Sequence, residues 1–107
     1  MPRQIRVQEL AERMAAGALT YLIDVRQPWE HERAALPGSV LVPLQELPGR
    51  LDELDPPAGA LVVVYCHHGV RSLSGAALLE HAGREAVSLQ GGIDAWSLQI
   101  DPAIPRY

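Results

Sequence analysis

The chain has few of the features that mark disulfide-bonded or nucleic-acid-binding proteins. Its 107 residues include one cysteine, and nine Lys+Arg stand against thirteen Asp+Glu, for a net charge of −4. A single cysteine excludes an internal disulfide framework and is typical of a reducing compartment. Lysine is absent, and the arginines are scattered along the chain. This acidic balance argues against a nucleic-acid partner, because no basic excess is present to meet phosphates.

Long hydrophobic stretches are also missing. The sequence contains no run of 18 successive apolar residues, and residues 1–6 lack the apolar segment of a secretory signal. We therefore expect a cytoplasmic protein with no membrane partner. Hydrophobic residues make up 48% of the chain and charged residues 21%, which is typical of a globular protein. The length predicts one domain spanning residues 1–107.

Strand and helix patterns alternate along the chain. Short apolar runs predict five strands, at residues 5–7, 20–25, 40–42, 60–65 and 86–89. Helical spacing predicts helices at residues 10–17, 28–34, 48–54, 72–83 and around 93–96. Pro28 and Pro48 are each placed as the first helical residue. Connections of this length imply right-handed βαβ units and hence an α/β fold with a parallel sheet.

The cysteine lies where the most apolar strand pattern stops. Residues 60–65 are apolar and mostly β-branched, as in a strand buried on both faces. A helical pattern begins at Ser72, so a short polar turn joins strand and helix. In a parallel sheet such a turn lies beyond the carboxyl ends of the strands, where ligands bind. The start of the helix adds unpaired N–H groups and a partial positive charge.

Cys66 therefore has the surroundings of a nucleophile. Helix N-termini and nearby cations favour the reactive thiolate, and Arg71 with a protonated His67 or His68 would supply those cations. Gly69 can adopt positive φ, so that several backbone N–H groups could converge on one anionic atom. We expect an exposed thiolate in an anion cradle. The alternative, a small core residue that ends an apolar strand, stays open at this point.

Four segments together resemble the single-domain rhodanese family of sulfurtransferases, and they cover nearly the whole chain. These segments are Asp24-Val25-Arg26 with Trp29-Glu30, Leu36-Pro37-Gly38-Ser39 with Val42-Pro43-Leu44, Tyr65-Cys66-His67-His68-Gly69-Val70-Arg71-Ser72, and Leu89-Gln90-Gly91-Gly92-Ile93-Asp94-Ala95-Trp96. The resemblance implies an α/β, rhodanese-like fold around a five-stranded, mostly parallel sheet with helices on both faces. It also assigns the catalytic cysteine of the family to Cys66.

The resemblance implies transfer of a sulfane sulfur through a persulfide on Cys66. The donor would be a small anion such as thiosulfate, or a persulfide, and the thiophilic acceptor would be a small molecule or a protein. No cofactor is expected. The predicted substrate-binding residues follow the cysteine: His67, His68, Gly69, Val70, Arg71 and Ser72. The predicted supporting residues are Asp24, Arg26 and Glu30, and Glu30 is expected to pair with Arg71.

Two other functions stay open. A binding module without catalysis could use the same fold to carry or sense sulfur. Cysteine-dependent phosphatases and arsenate reductases resemble this layout, but they place five residues between cysteine and arginine, whereas four intervene here. No metal site is expected, because adjacent histidines rarely bind one ion and no C-x-x-C pair occurs. Trp29 and Trp96 are expected to pack against the sheet, and His31 and His81 to lie on helix surfaces.

Overall fold

A computed structural model describes residues 3–107 and contains a five-stranded sheet. The strands are β1 (Arg3–Ile5), β2 (Thr20–Asp24), β3 (Val40–Leu41), β4 (Leu61–Tyr65) and β5 (Val87–Leu89). The α-helices are α1 (Val7–Ala15), α2 (Pro28–Arg33), α3 (Arg71–His81) and α4 (Gly92–Gln99). Two 3-10 segments, Leu44–Gly49 and Leu51–Glu53, lie between β3 and β4.

The strand order is β1-β5-β4-β2-β3, and every strand pair is parallel. The strand that precedes the cysteine, β4, is therefore central, and it pairs with β2 on one side and β5 on the other. In this register Asp24 is opposite Tyr65, and Val64 is opposite Ser88. Because the strands are parallel, their carboxyl ends share one edge of the sheet, as the sequence predicts.

Two apolar layers cover the two faces of the sheet. Alternate residues of β4 face opposite layers, with Val63 and Tyr65 in one cluster and Val64 in the other. Helices α1 and α4 pack on the first face, and α3 with the 3-10 segments packs on the second. Burying an aliphatic or aromatic side chain fully contributes roughly 1.5–3 kcal/mol, so the central strand is firmly held. The predicted fold class, with helices on both faces, is confirmed.

Several predicted boundaries are wrong. Val7 begins α1 instead of ending β1, because Val7 and Leu10 lie one helical turn apart and pack in the same cluster. The α-helix predicted for residues 48–54 is replaced by the two 3-10 segments, and Pro48 lies inside the first of them. Proline has no N–H to continue an α-helical hydrogen-bond ladder. Leu47 and Leu54 are nevertheless buried, as expected of the leucine stripe.

One predicted side-chain placement is wrong, and a second is only partly right. Trp29 is 60% exposed, whereas Trp96 packs in the core as expected. His81 lies on the surface as predicted, but His31 turns inward, and its Nδ1 lies 2.8 Å from Asp24 Oδ2. No helix within residues 3–107 is long and apolar enough to cross a membrane. That residues 1–107 form one domain stays a prediction.

Candidate active site

Backbone N–H groups converge on the cysteine sulfur. Cys66 directly follows β4, and its Sγ accepts hydrogen bonds from the backbone N–H of Gly69 at 3.2 Å and of Ser72 at 3.3 Å. Ser72 lies in the first turn of α3, where N–H groups have no partner within the helix. The loop therefore presents positive dipoles to the sulfur, which is the arrangement that stabilises a thiolate.

Two glycines allow the loop to take this shape. Gly69 has φ +95°, and a side chain there would lie 2.9 Å from the backbone nitrogen of Gly91. Gly92 has φ +62°, and a side chain there would overlap the carbonyl oxygens of Cys66 and His67. Both positions therefore need glycine, because other residues rarely adopt positive φ and no space is left for a Cβ.

The start of α4 orients the same loop from outside. The backbone N–H of Ile93 donates to the carbonyl oxygen of Cys66 at 2.9 Å, and that of Asp94 donates to the carbonyl oxygen of His67 at 3.1 Å. These bonds satisfy N–H groups at the N-terminus of α4. They also turn the two carbonyl dipoles toward α4, so that the loop N–H groups are left to face the sulfur.

The thiol is less accessible than the sequence predicts. Cys66 is 1% exposed and packs in the second core cluster with Val64 and Ala76. The expectation of an exposed thiol is therefore wrong, because the loop folds its N–H groups over the sulfur. The most exposed residues of the loop are His68 and Val70, and Val70 is 73% exposed.

Arg71 is held by Glu30, as the sequence predicts. Its two terminal nitrogens lie 2.7 Å and 2.9 Å from the two carboxylate oxygens of Glu30, which is a bidentate pair. Burial by itself raises the pKa of Glu30. Hydrogen bonds from Arg71, the Gln27 N–H and Tyr107 together have a larger, opposite effect, and the pKa falls to about 2. Glu30 is therefore ionised at neutral pH. Its charge fixes the guanidinium at the start of α3.

Asp24 and Arg26 form a buried ion pair beside the site. Both residues are 0% exposed, and Arg26 donates from Nε to Asp24 Oδ1 at 2.8 Å and from Nη2 to Oδ2 at 2.7 Å. Burial lowers the pKa of Arg26, but hydrogen bonds to Asp24 and Tyr107 raise it above its ordinary value. The pair lies at the carboxyl end of β2, where Asp24 is the last strand residue, at the edge where Cys66 emerges. This placement suits the supporting role predicted for it.

Tyr107 joins the two ion pairs, and the sequence gives no signal for this. Its hydroxyl donates to Glu30 at 2.7 Å and accepts from Arg26 at 2.6 Å. Burial and the neighbouring Glu30 raise its pKa to about 12, although Arg26 opposes this shift, so the hydroxyl keeps its proton. The partners lie 77 and 81 residues away along the chain, so only the folded structure shows them.

The two histidines of the loop stack in a column. The ring of His67 lies 4.1 Å from the ring of Tyr107 and 4.0 Å from that of His68. Burial and the nearby His68 lower the pKa of His67 from its ordinary value of 6.5. This shift disfavours the protonated form of His67, so His67 is a weaker source of positive charge than an ordinary histidine. Arg71 carries a permanent positive charge at the end of this loop.

Three side chains near the loop have potential metal-ligand atoms. Atoms of His67, His68 and Asp94 lie within 4.8 Å of one another. However, Asp94 is already paired with Arg106 at 2.8 Å, and the stacked rings cannot both point a lone pair at one ion without rotating. Asp94 belongs to α4, which is why sequence spacing alone did not reveal it. The expectation that no metal binds stays a prediction.

The comparisons with known proteins decide the family. Residues 6–99 match the family model described as "Rhodanese-like domain". The chain belongs to the rhodanese-like domain family. It is 34% identical over 98 residues to a protein named "Sulfurtransferase" from Allochromatium vinosum, covering 91% of this chain and 90% of that protein.

Other rhodanese-like proteins extend the comparison. A protein named "Rhodanese-like/PpiC domain-containing protein 12, chloroplastic" from Arabidopsis thaliana is 37% identical over 113 residues, which is 98% of this chain and 37% of the relative. A solved rhodanese-like domain protein from Staphylococcus aureus superposes with TM-score 0.82 and 26% identity, covering 98% of both chains. The chain spans only a quarter to just over a third of the curated relatives that head the comparison.

Proposed function

We propose that this chain transfers a sulfane sulfur through a persulfide on Cys66. The observation that carries the proposal is the pair of N–H groups, from Gly69 and Ser72, that point at Sγ at the end of the central strand. Such donors stabilise negative charge on a sulfur atom without any rearrangement during the reaction. Family membership and the relative named "Sulfurtransferase" support the same reaction class.

In the first step, the Cys66 thiolate attacks the outer sulfur of the donor. With thiosulfate, the new Sγ–S bond forms as the old S–S bond breaks, and its electron pair leaves with sulfite. Cys66 becomes an anionic persulfide, so the total charge is conserved. This is covalent catalysis, in which one difficult transfer is divided into two easier ones.

In the second step, an acceptor nucleophile attacks the outer sulfur of the persulfide. Cyanide would take up this sulfur and become thiocyanate. A thiol acceptor, on a small molecule or a protein, would take it up and become a new persulfide. The Cys66 thiolate is regenerated in both cases. Arg71 is proposed to attract the anionic donor, because part of its side chain, 36%, remains exposed beside Glu30.

Intact-mass measurement tests this proposal directly. The protein is incubated with thiosulfate or with a small-molecule persulfide, and it should gain the mass of one sulfur atom. Added cyanide should remove that mass and release thiocyanate. The Cys66→Ser variant should gain nothing, and because it differs from the native protein by a single atom its folding should be unchanged.

A failure to load sulfur would support a different function. If neither donor adds sulfur while the native thiol still reacts with iodoacetamide, the proposed chemistry is wrong. The rhodanese-like fold would then serve as a binding module. A loading reaction that persists in Cys66→Ser would instead show that the wrong nucleophile is assigned.

A further inference from the structure

Two buried hydroxyl groups form a chain with the sulfur of Cys66. The Oγ of Ser72 lies 3.5 Å from Cys66 Sγ, and the Oγ of Ser88 lies 2.7 Å from that of Ser72. Both serines are 0% exposed. Ser88 is the middle residue of β5, between the buried Val87 and Leu89. It is the only polar side chain of that strand, and the proposed reaction assigns it no role.

The position of Ser88 restricts where its proton can go. Within residues 3–107, the partner that the structure gives the Ser88 hydroxyl is Ser72 Oγ. A buried hydroxyl that donates to nothing is costly, so the Ser88 proton is directed to Ser72. The Ser72 proton must then point away from Ser88. The acceptor within its reach is the sulfur of Cys66, which accepts this proton as a thiolate and would donate to Ser72 Oγ as a thiol.

Counting protons shows which state of the sulfur this arrangement favours. The hydrogen-bonded row of Cys66, Ser72 and Ser88 has two contacts, one between Cys66 and Ser72 and one between Ser72 and Ser88. Each contact holds one proton. With a thiolate, the two hydroxyl protons fill the two contacts. With a neutral thiol there are three protons, and one has no partner. The hydroxyl that faces the sulfur also donates more strongly because it accepts a bond itself.

We infer that Ser88 is a positioning residue, which directs the Ser72 hydroxyl proton onto the Cys66 sulfur and thereby stabilises the thiolate. Its effect on sulfur transfer rests on the proposed function, whereas its effect on the ionisation of the thiol does not. Ser88 acts through Ser72 and touches no substrate. Without the Ser88 hydroxyl, Ser72 is free to rotate and to accept the proton of a neutral thiol instead.

The charged groups around the thiol come from other elements and stay in place when Ser88 is replaced. Strand β5 itself carries no charge. The groups that surround the loop are His67 and His68 in the loop, Arg71 on α3, Glu30 on α2, Asp24 and Arg26 at the end of β2, Asp94 on α4, and the Tyr107 hydroxyl. If the titration of Cys66 changes when Ser88 is replaced, the change is therefore attributed to loss of the Ser88 hydroxyl and not to a change in nearby charge.

Threonine and valine at position 88 provide a matched test, because they have the same shape and differ by the hydroxyl. The rate of iodoacetamide alkylation of Cys66 is measured against pH. We expect Ser88→Thr to keep the native profile. We expect Ser88→Val to move the half-maximal rate up by about half to one pH unit, a roughly three- to tenfold loss in the thiolate-to-thiol ratio.

The same comparison in a Ser72→Ala background tests the route. If Ser88 acts through Ser72, threonine and valine at position 88 then give the same profile. The proposal is overturned if the two Ser88 variants match in the native background, or if their difference persists without Ser72. Should the valine variant fail to fold, Ser88→Ala removes the hydroxyl with less bulk and must show the same upward shift. Sulfur loading, measured separately, tests the proposed function itself.

Discussion

At the scale of single residues, Arg71 and Glu30 show how one ion pair joins structure to chemistry. Glu30 is buried, whereas Arg71 keeps part of its side chain in solvent. Removing Arg71 would leave a buried carboxylate with fewer donors. Removing Glu30 would free the guanidinium to move. The two substitutions therefore have different expected effects.

For Arg71→Ala, we expect weaker binding of thiosulfate and a less stable fold. KM for thiosulfate should rise about tenfold, because a hydrogen bond to a charged group contributes ~1.5–3 kcal/mol. The free energy of unfolding should fall by about 1–2 kcal/mol, because Glu30 loses both bonds to Arg71. Steady-state kinetics and urea denaturation measure the two effects, and Cys66 should still react with iodoacetamide.

Arg13→Ala is the matched control, because Arg13 forms an exposed i,i+4 pair with Glu9. Exposed pairs of this kind contribute ~0.3–0.5 kcal/mol, so this variant should resemble the native protein in both assays. An unchanged KM in Arg71→Ala would remove Arg71 from donor binding.

The lowered pKa of Glu30 predicts a dependence of stability on pH. The folded-state pKa is about 2, below the ordinary value of 4.5. The stabilisation is therefore complete above pH 4.5, and it is lost as the pH falls toward 2. The difference in unfolding free energy between the native protein and Glu30→Gln should shrink over this range. Urea titrations at several pH values measure it, with Glu53→Gln on the surface as the control.

At the scale of elements, the contact between the loop and α4 explains the Gly91-Gly92 part of the motif. Gly92 begins α4 with a positive φ, and its lack of a side chain lets the carbonyl oxygens of Cys66 and His67 approach. Gly83, after α3, also has a positive φ, but a side chain there would meet open space. Replacing each glycine in turn therefore distinguishes the effect of backbone strain, which both positions share, from the effect of close contact, which only Gly92 has.

We expect Gly92→Ala to destabilise the protein more than Gly83→Ala and to impair sulfur loading. Both variants lose stability from the strained backbone, by on the order of 1 kcal/mol. Gly92→Ala must also push the loop away from α4, so the N–H groups that face Cys66 are displaced. Thermal unfolding and intact-mass loading compare the two variants. Equal loading in both would show that the loop tolerates a shift at α4.

The sequence predicts the site best where its residues are close together in the chain. The backbone N–H groups of Gly69 and Ser72 meet the Cys66 sulfur within one short stretch of chain, so their arrangement follows from the strand, turn and helix pattern. Residues that act through distant partners were missed. Tyr107 and Asp94 meet the loop only in the folded chain, and Ser88 had one signal, a lone hydroxyl in an apolar strand. The 3-10 segments were missed because leucine spacing alone does not distinguish them from an α-helix.

At the scale of the whole molecule, the strand order places the cysteine at the centre of the sheet and under its own loop. Strand β4 has neighbours on both sides, and Cys66 is 1% exposed. A reagent can reach the sulfur only through the mouth of the loop or by opening it. We therefore expect the fold to select reagents by size before any chemistry occurs.

For each reagent, the alkylation rate of Cys66 is divided by the rate of the same reagent with a free thiol. We expect this relative rate to be about tenfold or more higher for iodoacetamide than for bulky maleimides. The larger reagents need a local opening of the loop. The size preference should disappear in denaturant. Alkylation rates followed by intact mass measure this. Equal relative rates for small and bulky reagents in the folded protein would show that the loop is open in solution.

The bonds from Ile93 and Asp94 to the loop carbonyls have a consequence for protein engineering. Residues 66–72 cannot be grafted alone onto another parallel sheet with their reactivity intact. The graft would need a second helix whose first turn anchors those oxygens, since otherwise the peptide planes are free to flip. The transplantable unit is therefore the loop together with the start of α4, two pieces separated by the nineteen residues 73–91.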